Sequence, residues 1–377
     1  MVAWLPDLFM VENNRIKLGP NGIHSGSHSH FDHLLSAEQL TPELLEERIF
    51  PLSDILEANI GSGPRYNILH YLTENDTVLT FSEEPTTRSG LSMHRAAEIL
   101  GARSTLILNA GEGTSLAKLE SRLATRMMME QYGFGLVGWR TTEEDGLLEA
   151  ATADARITII NLGDGPGEHP TQYLLDLRTM KDIRKEQQKS LKANWKIVVS
   201  GSPGIYRTIR SWFRGLAVYC DDLTVRFVCP EELRPRREDY DFLEKRGVNI
   251  EEFEDLKEAV IDADFVCGSR YPVNHDPRFK EVSDLDERVK LAEEYYGLSR
   301  TYLTEEVLDA MPSYARYLHP LPNGPELPDV FIKHPKVLAY THQPKNGLVT
   351  RMALILDCLA PEVADRLLEI HGFGYGK

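Results

Sequence analysis

Cysteine is scarce in this chain. Only Cys220, Cys229, Cys267 and Cys358 occur, no two of them at C-x-x-C spacing, and Cys229 and Cys267 lie in strand-like apolar runs. That usage excludes a disulfide-stapled scaffold and reads as buried free thiols in a reducing compartment. Long hydrophobic runs are missing too: no stretch approaches the roughly eighteen apolar residues of a membrane span. The N-terminal MVAWLPDLFMVENNRIKLG has no basic segment leading into an apolar one, so no signal peptide is expected. A cytoplasmic location follows as the expectation. Positive charge is in deficit, with 42 basic against 58 acidic residues and a formal charge of -16. A general surface for nucleic acid or anionic membrane is excluded on that balance, and any basic pocket stands out against it.

What is present suits an ordinary globular protein, 42% hydrophobic and 27% charged. At 377 residues the chain is too long for one core and fits two domains. Strand-like runs alternate with helical patterns. TVLTF (77–81), STLIL (104–108), GFGLVGW (133–139) and ITIINL (157–162) predict buried strands, with helices over 91–102 and 115–132. WKIVVSG (195–201), TVRFVCP (224–230), ADFVCGS (263–269) and ARYLHPLP (315–322) repeat the theme. The fold class is therefore α/β, two domains, each a parallel sheet flanked by helices. The polar stretch 178–195 joins them as a helix and a linker. The expected division is an N-terminal extension over 1–33, a first domain over 34–182 and a second over 183–345. A C-terminal helix or helix pair from 346 packs back on the first domain.

Near the N-terminus, His28, His30, Asp32 and His33 form H-x-H-x-D-H, the spacing of metallo-β-lactamase-like hydrolases. Such an enzyme needs further ligands on later strands of a β-sandwich, and this chain alternates strand with helix. No metal site is therefore expected. The following LLSAEQLTPELL reads as a helix entry, with Thr41 as N-cap, Pro42 first in the helix, and Glu43 and Glu46 in the early turns. SGSPG (200–204) follows a strand but lacks G-x-G-x-x-G, and the next strand does not end on an acidic residue, so a dinucleotide site is rejected.

In open parallel sheets ligands bind beyond the carboxyl ends of the strands, and four motifs sit there. After TVLTF come Thr86, Thr87, Arg88 and Ser89 at a helix start, where free N–H groups, hydroxyls and a guanidinium make a phosphate cradle. Arg140 follows the third strand. Gly163, Gly165 and Gly167 open a loop before His169, Pro170, Thr171 and Gln172 begin a helix. His169 and Gln172 share one face of that turn. A neutral histidine can donate to a carbonyl oxygen, and a glutamine can pair with an amide-like NH2. Last, H-P-L-P (319–322) is a stiff loop that offers mainly carbonyls.

T-T-R-S-G, H-P-T-Q, H-P-L-P and a closing NGLVTRMAL, in that order from about His33 onward, resemble the aspartate/ornithine carbamoyltransferase family. The resemblance implies that Thr86, Thr87, Arg88 and Ser89 hold the phosphate of carbamoyl phosphate. Arg140 would bridge phosphate and carbonyl oxygen. His169, Ser89 and Arg140 would polarise that oxygen and stabilise the oxyanion. Gln172 and the carbonyls of Pro320 and Leu321 would hold the carbamoyl NH2, with Leu321 also at the acceptor. No metal or organic cofactor is implied. GTSLAKLESRLAT (113–125) resembles a mobile loop of the form T-S-L-x-K-G-E-S/T-L-x-D-T, through which a neighbouring subunit donates a serine and a lysine, here Ser115 and Lys118. A homotrimer with shared sites follows from it, as does a place in pyrimidine biosynthesis.

The acceptor is read from the second half. Ornithine enzymes carry H-C-L-P and an S-M-G loop, which this chain lacks. GSPGIYRTIRSWFRGLAVY (201–219) resembles the aspartate branch and puts Arg207 on a carboxylate-binding position, with Arg270 on a second. Two converging arginines imply a dianionic acceptor such as aspartate. Gly90, Pro272 and Asn323 depart from the aspartate pattern, which leaves open a different acceptor or a non-catalytic carbamoyl phosphate-binding paralogue.

Overall fold

Valine-, isoleucine- and leucine-rich runs that are buried almost end to end can only sit between layers of helix, and they do so twice. In the computed structural model, which describes residues 11–12, 15–16, 32–60, 68–152, 155–271, 273, 276–279 and 281–373, the first sheet holds β1 (His33–Leu34), β2 (Thr77–Ser82), β3 (Arg103–Ile107), β4 (Leu136–Thr141) and β5 (Thr158–Asp164). The second holds β6 (Trp195–Ser200), β7 (Leu223–Val228), β8 (Asn249–Phe253), β9 (Phe265–Gly268) and β10 (Arg316–Leu318). The orders are β1-β5-β4-β2-β3 and β8-β7-β6-β9-β10, and every pairing is parallel. The α/β expectation of two parallel sheets flanked by helices is met.

Each order reverses once. β2 leads outward to β3, and the chain then returns to β4 on the other side. β6 leads outward through β7 to β8 and returns to β9. Such reversals open a crevice at the strand ends where ligands bind. In the first sheet that crevice opens beside residues 82–89 and Arg140, in the second beside residues 200–207 and Arg270.

The helices that matter are α1 (Phe50–Asn59), α2 (Arg88–Leu100), α3 (Arg122–Gln131), α4 (Pro170–Glu186), α5 (Arg207–Tyr219), α6 (Leu285–Tyr296), α7 (Gln343–Leu359) and α8 (Pro361–Ile370). α4 carries the chain from one sheet to the other. α7, buried along most of its length, returns to pack against α1, α2 and α4. Arg48, fully buried, pairs there with the equally buried Asp357 of α7. At the helix entry, the Thr41 side chain accepts from Leu44 N and Pro42 opens the first turn. No helix among the described residues is long and apolar enough to cross a membrane.

The short edge strand β1 was not anticipated, and two further elements differ from expectation. The helix expected over 115–132 is broken: Ser115–Lys118 is a single 3-10 turn, Leu119 is left-handed at φ 68°, and α3 starts afresh at Arg122. The cause is Ser121, an extended residue whose hydroxyl accepts from Ala124 N and so starts a new helix rather than continuing the old one. β8 was not anticipated. It is an edge strand carrying Glu251 and Glu252, whose charges belong at a sheet edge but hide the hydrophobic signal.

Candidate active site

The end of β2 and the start of α2 make the anion-binding turn. Thr87 occupies the N-cap position without a side-chain cap bond, so the first N–H groups of α2 are left for a ligand. Arg88 lines the cavity and has no acidic partner among the described residues. Burial, with Arg270 among its neighbours, lowers its pKa from the usual arginine value. Ser89 Oγ lies 3.0 Å from His169 Nε2. Gly90 stands where the resemblance calls for arginine. A Cβ there would lie 3.2 Å from the side chains of Leu108 and Thr86, so the space is already occupied.

Arg140 is mostly buried, and burial together with nearby Arg207 brings its pKa down to about 10. Both arginines converge on Glu84: Arg140 Nη2 and Arg207 Nη2 each stand 2.7 Å from Glu84 Oε1. Burial pushes the Glu84 carboxyl up, but Arg207 and Arg140 outweigh it and hold the group below the ordinary carboxylate value. Arg207 Nη1 also donates to Gly165 O at 2.7 Å. Gly163 makes room for this arginine: it has φ 120°, and a Cβ there would meet Arg207 Nε at 2.8 Å.

His169 precedes Pro170 at the head of α4 and is wholly buried. Desolvation, then Arg140, Arg207 and Arg351, hold its pKa well below the imidazole value, so it is neutral. Arg351 Nη2 donates to Thr171 Oγ1 at 3.0 Å, and that hydroxyl lies 3.4 Å from His169 Nδ1. His169 Nε2 faces Ser89 and the cavity. Gln172 Nε2 donates to Asp176 Oδ1 at 3.0 Å. Its Oε1 is thereby left to accept from an NH2 group. Asp176 also accepts from Gln343, whose Oε1 accepts from His319 N at 3.0 Å. Within the H-P-L-P loop, Leu321 N donates to His319 Nδ1 at 2.9 Å, and His319 Nε2 stands 3.0 Å from Glu326. This chain of bonds ties the Gln172 amide to the carbonyls of Pro320 and Leu321.

One cavity of about 990 Å³ takes in Thr86, Thr87, Arg88, Ser89, Arg140, His169, Gln172, Arg207, Arg270, Pro320 and Leu321. Arg270 follows β9, and no acidic partner faces its guanidinium among the described residues. Ser115 and Lys118 are not brought into this cavity. They lie on the 3-10 turn, with Lys118 exposed. Asn323 stands apart from the cavity, bonded to Leu327 O, Asp329 and Tyr340. His28, His30 and Pro272 lie outside the described residues. His33 is a strand tie: its Nδ1 accepts from Ile159 N at 3.1 Å, and its Nε2 meets Thr152 O at 3.3 Å. Glu84, Asp176 and Gln343 were missed in the sequence. Two signals were available: Glu84 lies two residues beyond the end of β2, and Asp176 lies four residues beyond Gln172 on one helix face.

A family model described as aspartate/ornithine carbamoyltransferase, carbamoyl-P binding domain, matches residues 32–182. A second, aspartate/ornithine carbamoyltransferase, Asp/Orn binding domain, matches residues 193–358. Aspartate carbamoyltransferase 2, chloroplastic, of Pisum sativum is 32% identical over 351 residues, 92% of this chain and 84% of that one. The chloroplastic aspartate carbamoyltransferase of Arabidopsis thaliana is 35% identical over 324 residues, covering 85% and 76%. The crystal structure of aspartate transcarbamoylase from Trypanosoma cruzi with aspartate and phosphate superposes with a TM-score of 0.74 at 23% identity, over 87% of this chain and 97% of that one. The expected cytoplasmic location is corrected by these relatives, whose plant members are named chloroplastic. The absence of a secretory signal pattern, on which it rested, does not bear on a plastid address.

Proposed function

The chain belongs to the aspartate/ornithine carbamoyltransferase family, and on that premise we propose that it transfers the carbamoyl group of carbamoyl phosphate to the amine of aspartate and releases phosphate. The observation that carries this reading is the convergence of Arg88, Arg140, Arg207 and Arg270, a neutral histidine and an oriented amide on one cavity between the strand ends of both sheets. Phosphate rests on the first turn of α2 with Thr86, Thr87, Arg88 and Ser89. Arg140, Ser89 and the Nε2–H of His169 point at the carbonyl oxygen and stabilise the negative charge that grows there as the amine attacks. Gln172 Oε1 and the carbonyls of Pro320 and Leu321 accept from the carbamoyl NH2. Arg270 and Arg207 receive the acceptor carboxylates, beside Leu321. Glu84 fixes Arg140 and Arg207 but neutralises only part of their charge, so the cavity keeps a positive excess for two anionic substrates.

Residues 34–182, with the returning α7, form the carbamoyl phosphate domain, and residues 183–345 the acceptor domain. Each site is completed by Ser115 and Lys118 of a neighbouring copy in a homotrimer. Supporting this, Lys118 is exposed beside an apolar row in which Leu119 is 95% and Met127 54% accessible, with Leu123 between them. A screen of amines with carbamoyl phosphate, following phosphate release, tests the assignment. Aspartate is expected to be carbamoylated. Preference for ornithine or another amine, or no turnover with any, would overturn it.

A further inference from the structure

Glu83 and Glu84 are neighbours at the end of β2, yet they engage different partners. Glu84 turns to Arg140 and Arg207, while Glu83 is buried and takes no part in the cavity. It accepts from Arg122 Nε and Nη2, each at 2.8 Å, from Trp139 Nε1 at 2.9 Å and from Thr141 Oγ1 at 2.9 Å. Trp139 and Thr141 flank Arg140, at the point where the register between β4 and β5 shifts. The Glu83 backbone adds two bonds, donating to Arg140 O at 2.9 Å and accepting from Gly111 N at 3.1 Å. A Cβ at Gly111 would lie 2.6 Å from that carbonyl, so the segment leading to Ser115 is pressed against Glu83.

Arg122 is the first residue of α3 and follows the 114–121 loop directly. Its fork is filled on both sides, by Glu83 and by Glu143, to which Nη1 donates at 2.8 Å, and its backbone N donates to Glu149 at 2.7 Å. The bond to Glu83 is the largest cause of a pKa raised above the usual arginine value. A bidentate, desolvated arginine–carboxylate pair is geometrically specific in a way that an exposed pair is not. It therefore fixes where the loop ends relative to the phosphate turn and to Arg140.

We propose that Glu83 and Arg122 are positioning residues, a buried clamp that sets the loop bearing Ser115 and Lys118 while bracing Arg140 from behind. This rests on the reading that Lys118 works in a neighbour's site. The clamp joins two halves of two different sites: the groups that hold this chain's own phosphate, and the lysine this chain lends.

A double-mutant cycle on the assembled enzyme tests it, with Lys118→Ala, Arg122→Leu and their combination. Lys118→Ala is expected to lower kcat strongly. Arg122→Leu is expected to lower it on the order of 100-fold, the scale of a loop displaced by about 1 Å. If the arginine acts largely through the lysine, Arg122→Leu slows the Lys118→Ala enzyme far less than it slows the parent, the remainder being its effect through Arg140. Arg122→Lys, which keeps the charge but not the fork, should recover part of the loss. Losses that multiply in full overturn the clamp while leaving the shared site standing. An unchanged rate in Lys118→Ala instead overturns the shared-site reading, and the clamp falls with it. Should Arg122→Leu not fold, Glu83→Gln enters the same cycle, since it keeps the shape of Glu83 and removes the bidentate charge.

Discussion

Arg270 and Arg207 both line the cavity, but they are not equivalent. Arg207 already serves Glu84 and the Gly165 carbonyl. Arg270 has no acidic partner of its own among the described residues. Arg270→Ala should therefore weaken acceptor binding by about 2–5 kcal/mol with carbamoyl phosphate affinity nearly intact. Arg207→Ala should reduce both, because it also leaves Glu84 with Arg140 alone. Substrate titrations of the two variants separate these outcomes, and equal effects of Arg270→Ala on both substrates would remove it from the acceptor site. Asp176 makes a second prediction. Its carboxyl is completely buried, and burial raises its pKa from 3.8 to about 8 against the pull of Gln343 and Gln172. The folded protein thus holds a proton that the unfolded chain has released between those values. Stability from this group is present in full below about pH 4, declines as pH rises, and is gone above about pH 8. Asp176→Asn should lose less stability over that window in denaturant titrations. A slope as steep as that of the parent would place the buried proton elsewhere.

At the scale of elements, α3 has two unlike faces. Thr125, Arg126 and Met129 are buried, whereas Leu123 and Met127 are exposed, as is Leu119 just before the helix. Leu123→Glu should leave the secondary structure unchanged by circular dichroism and lower the assembly state by sedimentation. An unaltered sedimentation coefficient would mean that no second copy covers this row. The sequence made most central strands legible, because strands buried on both faces read as unbroken apolar runs. It hid β8, whose edge position admits charge, and the break at Leu119, where Ser121 as a cap outweighs an otherwise helical pattern. The site was legible where a residue lines the cavity: the turn after β2, His169, Gln172 and the H-P-L-P loop reach it together. It was illegible where a residue contacts another residue. Glu83, Glu84 and Asp176 read as ordinary acids until the fold brings arginines and amides to them.

Across the whole molecule, the two sheets are joined by more than α4. Arg210 and Arg236 of the second half reach Glu144 at 2.6 and 2.5 Å, and Arg214 reaches Glu38 at 2.5 Å. If a neighbour's loop completes it, as proposed, a site spanning such a seam should be divisible between chains. Lys118→Ala and Arg140→Ala should each be nearly inactive as pure oligomers. When the two are dissociated, mixed and reassembled, some interfaces pair an intact Lys118 with an intact Arg140, so part of the activity should return. Activity that stays at the level of the separate variants, after proven exchange, would confine each site to one chain.

The return of α7 to α1, α2 and α4 has a bearing on how the protein is made. A chain emerges from the ribosome at about 5–20 residues per second and generally folds from its N-terminus. Here the sheet synthesised first waits for a helix translated near the end, since Arg48 and the faces of α2 and α4 have no cover until residues 343–359 arrive. The second sheet is translated in the meantime and can close before the first is finished. Nascent chains stalled before residue 343 should therefore be cut readily by protease between residues 42 and 100, and chains whose added C-terminal linker carries residue 359 clear of the ribosome should resist.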